Sequence, residues 1–116
     1  MSTLRASSRY AKALLDLARE RNALDVIKTD SDTLLAVLKE SRDFRVFLQS
    51  PVIKPDQKLK TLKTVFSGQF DPLLNAFMDL LVKHGREAHL KDVLEKYTSL
   101  YLAEKNVVRA RIASAS

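Results

Sequence analysis

His84 and His89 are the side chains here best suited to metal binding or proton transfer, and they stand five residues apart across Gly85. Paired helical metal ligands recur at i and i+4 on one face, so this spacing, broken by a helix-ending glycine, does not present the two together. Surface or helix-end roles are expected for both. Gly85-Arg86-Glu87 has the makings of an anion-binding corner through Arg86, although an arginine beside a helix terminus more often bonds exposed carbonyls or a nearby carboxylate. No cysteine is present to act as nucleophile or thiolate ligand, and two glycines in the whole chain leave no glycine-rich loop to cradle phosphate. No acid, base, nucleophile or metal set assembles, so the sequence predicts no catalytic residues, no metal and no cofactor. Lys54, Lys58, Lys60 and Lys63 crowd one stretch of a chain with a formal net charge of +6, which raises nucleic acid as a partner through attraction to phosphate. The stretch lacks the aromatic interleaving that stacks on bases, and much of the Lys and Arg elsewhere alternates with Asp and Glu. A solvated helix face is the simpler reading.

The elements that would position these residues are helical. At 116 residues the chain suits one domain that buries roughly two-thirds of its unfolded surface without disulfides or metals. Scarce glycine and the i, i+3, i+4, i+7 recurrence of apolar residues point to an all-α fold. The first helix is expected over 4–22, with Tyr10, Leu14 and Leu17 in one row and Ala11, Leu15 and Ala18 in the next. A second carries Leu24, Ile27, Leu34, Leu35 and Leu38, and is read as one helix despite the weak propensity of Thr29-Asp30-Ser31-Asp32. Ser41 caps a short third helix bearing Phe44, Phe47 and Leu48, which Ser50-Pro51 ends, leaving 51–55 as an extended connector. Pro55 opens a fourth helix whose apolar face is Leu59, Leu62, Val65 and Phe66, closed by Gly68. Asp71-Pro72 starts a fifth over 73–84, ended by Gly85, and a sixth, amphipathic helix is expected over 87–105.

After Asn106 the pattern changes, with Val108, Ala110 and Ile112 alternating with Arg109 and Arg111, which reads as a strand without a partner. The expected division is a six-helix domain over 1–105 and a strand-like, poorly ordered tail over 106–116, acting as a linker or as the start of a further domain. No apolar run approaches the ~18 residues of a membrane span, and the N-terminus lacks a secretion-signal layout. A soluble, intracellular and monomeric protein without direct membrane insertion is expected.

The first and fifth helices carry more apolar surface than one packing interface uses. In the fifth, Leu73, Leu74, Ala76, Phe77, Met78, Leu80, Leu81 and Val82 occupy nearly every direction. Either both helices lie in the middle of a bundle, or they form a groove for a partner's amphipathic helix. In the second case Tyr10, Ala13, Leu14, Leu17, Phe77, Met78 and Leu81 supply floor and walls, and the small alanines allow close approach.

Three ordered blocks carry a family likeness. The first is Arg9-Tyr10-Ala11-Lys12-Ala13-Leu14; the second runs from Phe47-Leu48-Gln49-Ser50-Pro51-Val52-Ile53 through Lys58 to Leu62 and Phe66. The third runs from Leu80 through His84-Gly85-Arg86, Leu90, Val93-Leu94 and Tyr97 to Val108, Ala110, Ile112, Ser114 and Ala115. Together they resemble the delta subunit family of the rotary F-type ATP synthase, whose mitochondrial equivalent is the oligomycin-sensitivity-conferring protein. Three departures are local: Ser50 stands for the usual Asn before Pro, Lys83-His84 for Glu-Asn before Gly-Arg, and Tyr97 for Phe.

The resemblance implies a six-helix bundle on top of the catalytic head, binding the N-terminal helix of an alpha subunit in a groove between its first and fifth helices. Arg9, Lys12 and Arg86 are the rim candidates. It also implies a C-terminal domain, absent from this sequence, that grips the b subunits of the peripheral stalk. The whole subunit is then a non-catalytic stator part supporting proton-driven ATP synthesis, held as a peripheral component at the cytoplasmic face of the bacterial inner membrane. The alternative is a small basic helical domain that binds RNA through the Lys54 to Lys63 face.

Overall fold

A computed structural model of the chain describes the backbone of residues 2–66 and 68–115, and the side chains of residues 5–66 and 68–106. Six helices follow one another: α1 Ser2–Glu20, α2 Leu24–Glu40, α3 Arg42–Gln49, α4 Pro55–Phe66, α5 Pro72–Lys83 and α6 Leu90–Ala115. The fold is all-α, with no strand among the described residues. A 3₁₀ turn, Glu87–His89, precedes α6, so the first turn expected for the sixth helix is wound more tightly and the α-helix starts at Leu90.

The helix boundaries follow from local chemistry. The Ser41 hydroxyl accepts from the Phe44 amide at 3.1 Å and opens α3, and the Asp71 carboxylate accepts from the Leu73 amide at 2.9 Å ahead of α5, where Pro72 has no amide to leave unsatisfied. Two helices end alike. After α1, Asn22 takes a left-handed φ of 54°, and the Ala23 amide donates to the Ala18 carbonyl; after α5, Gly85 takes φ 69° and the Arg86 amide donates to the Leu81 carbonyl. α2 stays continuous through Thr29-Asp30-Ser31-Asp32 because Ile27, Leu34 and Leu38 on either side are buried in the core and Lys28 pairs with Asp32 one turn on at 2.6 Å, while Thr29 and Thr33 donate their hydroxyls to carbonyls one turn back.

α6 is the spine. α1 lies alongside it in the same direction, with Tyr10 near the residues that lead into α6 and Arg19 bonded to Glu104 near its far part. α2 packs on α6 in the opposite sense: its start lies at Tyr97 and Tyr101, and its end, at Leu38, lies near Leu90. Between these helices Leu14, Ala18, Ile27, Leu34, Val93, Leu94 and Tyr97 are fully buried. The Tyr97 hydroxyl donates to the Leu24 carbonyl at 2.9 Å, which satisfies its polar tip inside the core. α4 and α5 pack on each other at the flank.

Three sequence readings require correction. The backbone of α6 continues helically to Ala115, so the strand expected beyond Asn106 does not form. Extending an existing helix costs far less than starting one, no Gly or Pro interrupts 106–115, and a lone strand would leave its ladder unpaired. The side chains whose alternation suggested a strand, Val108 to Ile112, lie outside the described residues. Val65, expected on the apolar face of α4, is exposed, because α4 buries the narrower line Lys58, Leu62 and Phe66. Lys58, expected on a solvated face, is only 4% exposed. Its ammonium donates to the Leu48 carbonyl at 3.0 Å, in the last turn of α3, and lies 3.5 Å from Glu87 Oε1, so one cation ties α3, α4 and the 3₁₀ turn together.

Candidate functional site

The two helices with surplus apolar surface, α1 and α5, are joined through the side chains of Tyr10, Phe77 and His84. α1 packs mainly on α6 and α2, and it reaches α5 through side chains. Tyr10 makes the bridge: its hydroxyl is hydrogen-bonded to His84 Nδ1 at 2.8 Å, and its ring meets Phe77 edge-on, centroids 6.2 Å apart at 78°. Helical spacing aligns the rest. Tyr10, Ala13 and Leu17 are i, i+3 and i+7 on α1, while Phe77, Leu80 and His84 are i, i+3 and i+7 along α5.

The seven side chains expected to build a groove fall into two sets. Leu14, Phe77, Met78 and Leu81 are buried in the chain's own core. Ala13 is exposed, Leu17 is 36% exposed and Tyr10 is half-buried. On α5, two apolar residues outside the expected set are exposed as well, Ala76 and, at 37%, Leu80. His84 caps α5, as expected of a helix-end residue, and in addition fixes the Tyr10 ring. The signal for that second role was the shared line of Phe77, Leu80 and His84. Arg9, Lys12 and Arg86 are all exposed, and Arg5, Ser8, Arg9 and Lys12 line a shallow depression on α1.

A second polar cluster sits at the opposite end of α1, where the α1–α2 turn meets α6. Arg19 bonds Glu104 through two guanidinium nitrogens and Asp16 through one at 3.0 Å. Tyr101 donates to Asp25 Oδ1 at 2.5 Å, and Lys105 reaches the same oxygen at 3.1 Å. The Tyr101 hydrogen bond, followed by Lys105, holds the Asp25 carboxyl below the usual range, and Arg19 does the same for Glu104. The Tyr101 hydroxyl is correspondingly raised by Asp25, while burial raises that of Tyr97. These groups are consumed by one another in holding α6 against the α1–α2 corner.

Among the described residues no three His, Cys, Asp or Glu side chains converge as metal ligands. Nor do the four lysines form one face: Lys54, Lys60 and Lys63 are exposed while Lys58 is turned inward. Among the described residues no helix is long and apolar enough to cross a membrane. Of the sequence-predicted residues, Tyr10 and Phe77 are in direct contact across α1 and α5.

Comparison with known proteins gives a consistent result. The family model for the ATP synthase delta (OSCP) subunit matches residues 6–116. The ATP synthase subunit delta of Chlorobium phaeobacteroides (strain BS1) is 40% identical over 115 residues, which is 99% of this chain and 64% of that protein. That of Lactobacillus gasseri is 34% identical over 109 residues, 94% of this chain and 59% of that protein. Among solved structures, a chain in the cryo-EM structure of the Toxoplasma gondii mitochondrial ATP synthase hexamer matches with a TM-score of 0.74 and 33% identity, covering 78% of this chain and 51% of that one. The present chain thus spans less than two thirds of the length of these relatives.

Proposed function

Because the chain belongs to the ATP synthase delta (OSCP) subunit family, we propose that it acts as a non-catalytic stator component of an F-type ATP synthase, binding the N-terminal amphipathic helix of an alpha subunit in the cleft between α1 and α5. The observation that carries this reading is that α1 and α5, joined through Tyr10, His84 and Phe77, leave apolar side chains exposed, Ala13 and Leu17 on one and Ala76 and Leu80 on the other. An amphipathic helix laid there buries its apolar face against these side chains, and the alanines leave room for close approach. Tyr10, fixed by Phe77 and His84, is a rigid aromatic anchor that loses little freedom on binding.

The mechanism is mechanical. A rotor turning inside the catalytic head exerts torque on it, and the head changes conformation only if it is prevented from turning along. In this proposal the six-helix domain over 1–105 holds the head, residues 106–116 lead into a C-terminal domain, and that domain grips the b subunits of the peripheral stalk. The assembly lies at the cytoplasmic face of a bacterial inner membrane, as a peripheral component of the complex.

The test is calorimetric titration of the folded chain with a synthetic peptide of the cognate alpha subunit's N-terminal helix. Saturable one-to-one binding is expected, weakened by Tyr10→Ala by about 2 kcal/mol, or roughly thirty-fold, with the circular dichroism unchanged. Absence of binding by a folded sample refutes the reading.

A further inference from the structure

α4 and α5 enclose an open cavity of about 280 Å³. Asn75, Met78 and Asp79, at i, i+3 and i+4, line it from α5, on the side turned away from Phe77, Leu80 and His84. Leu62, Phe66 and Met78 give it an apolar floor, none of them more than 4% exposed. Its surroundings are fixed before anything enters. Phe66 meets Phe44 edge-on at 5.5 Å and lies 5.1 Å from Phe70, and Asp30 accepts from the Asp71 amide at 2.8 Å, tying the loop ahead of α5 to α2. Gly68, at φ 73° and with nothing within 4 Å of where its Cβ would stand, leaves the opening clear. The charged lining, by contrast, is idle. Lys63 on α4 and Asp79 on α5 border the same cavity without pairing with each other, and neither has an ion-pair partner among the described residues.

We infer that this cavity binds a small aromatic zwitterion, of the size and charge of a free aromatic amino acid, with its ring on Phe66 and Met78, its ammonium at Asp79 and its carboxylate at Lys63. The volume lies at the small end of ligand pockets, which suits one ring system. A flat ring there extends the aromatic row of Phe44, Phe66 and Phe70 and gains a thioether contact from Met78. The two charges then choose among rings. An uncharged guest takes water from Lys63 and Asp79 and returns nothing, and a guest with one charge satisfies one side chain while facing a like charge on the other. Because the walls are already in place, little is lost in ordering them. The site stands on the far side of α5 from Tyr10, so it is independent of any helix held by α1 and α5.

The experiment titrates the whole chain with L-tryptophan and follows amide and methyl NMR resonances. Saturable shifts are expected at the Leu62 and Met78 methyls and the Asn75 and Asp79 amides, with a Kd on the order of 1 mM for a ligand of this size. Tryptamine, which lacks the carboxylate, and indolepropionate, which lacks the ammonium, are each expected to bind about five-fold more weakly. Asp79→Asn should abolish the preference for tryptophan over indolepropionate, and Lys63→Met the preference over tryptamine, both variants keeping the wild-type circular dichroism. Tryptophan at about 10 mM, ten times that Kd, that moves none of these resonances, or moves those of α1 instead, overturns the site. Equal binding of the three indoles, or preferences that survive both substitutions, overturns the roles of Asp79 and Lys63.

Discussion

Replacing Lys58 by methionine removes a buried cation while keeping most of its stem, and so isolates what the ammonium does. In the native chain that group donates to the Leu48 carbonyl at 3.0 Å and lies 3.5 Å from Glu87, whose side chain is 14% exposed. The variant leaves a helix-terminal carbonyl without its donor and a carboxylate without its partner. Losing a charge-assisted hydrogen bond costs about 1.5–3 kcal/mol, and breaking a buried pair about 3–5. Glu87 retains some access to water, so the lower part of the combined range applies and about 3 kcal/mol is expected. For a domain of this size that corresponds to a fall in Tm of roughly 10–15 °C. Urea unfolding followed by circular dichroism reads it directly, the midpoint falling at unchanged m. The cycle with Glu87→Gln isolates the pair, and a coupling of about 1–2 kcal/mol is expected. A Lys58→Met variant within about 0.5 kcal/mol of wild type, with no coupling to Glu87, refutes the reasoning and leaves Lys58 as a packed aliphatic stem.

Gly85→Ala is expected to cost about 1–2 kcal/mol, since nothing lies within 4 Å of the added methyl and the whole effect is the strain of φ 69°; an unchanged urea midpoint refutes this. Asp25 and Glu104 have folded-state pKa values held below their ordinary 3.8 and 4.5, so their contribution is present above those values and lost as pH falls through the lowered ones. Asp25→Asn with Glu104→Gln should therefore flatten the acid limb of stability below about pH 4.5, measured by urea midpoints across pH. The buried Tyr97 hydroxyl has a raised value, so its contribution is intact below the ordinary 10.0 and lost at higher pH, where the unfolded chain ionises first. Tyr97→Phe is expected to flatten that alkaline limb and to cost about 1 kcal/mol at neutral pH through the lost bond to Leu24.

Helix punctuation was legible because its chemistry is local. Ser41, Asp71-Pro72 and Gly85 act within a turn of themselves, and each sits where its residue type requires. The tail misled because period-two alternation over five residues is also compatible with a helix, and the helix already running from Leu90 decides between them. Lys58 misled for a different reason. Its neighbours Lys54, Lys60 and Lys63 are solvated, and what draws Lys58 inward is the terminal carbonyl of α3 and Glu87, which no local pattern brings near. At the cleft, periodicity identified the two helices with surplus apolar surface but not which residues the core consumes. Phe77 and Met78 go inward and Leu80 stays out because α5 is rotated by its packing on α4 and α2, a fact of tertiary geometry.

The pairing of the first helix with the last governs how the chain is made. Arg19 and Glu104 are 85 residues apart, and Leu24 and Tyr97 are 73 apart, so the two ends of the sequence hold the centre of the bundle together. As the polypeptide leaves the ribosome, α1 and α2 emerge long before the spine on which they pack. Their apolar rows, including Leu14, Ile27 and Leu34, lack most of their native cover until α6 has been synthesised. Folding of these helices into one core is consequently closed by the arrival of α6, which supplies the long-range contacts.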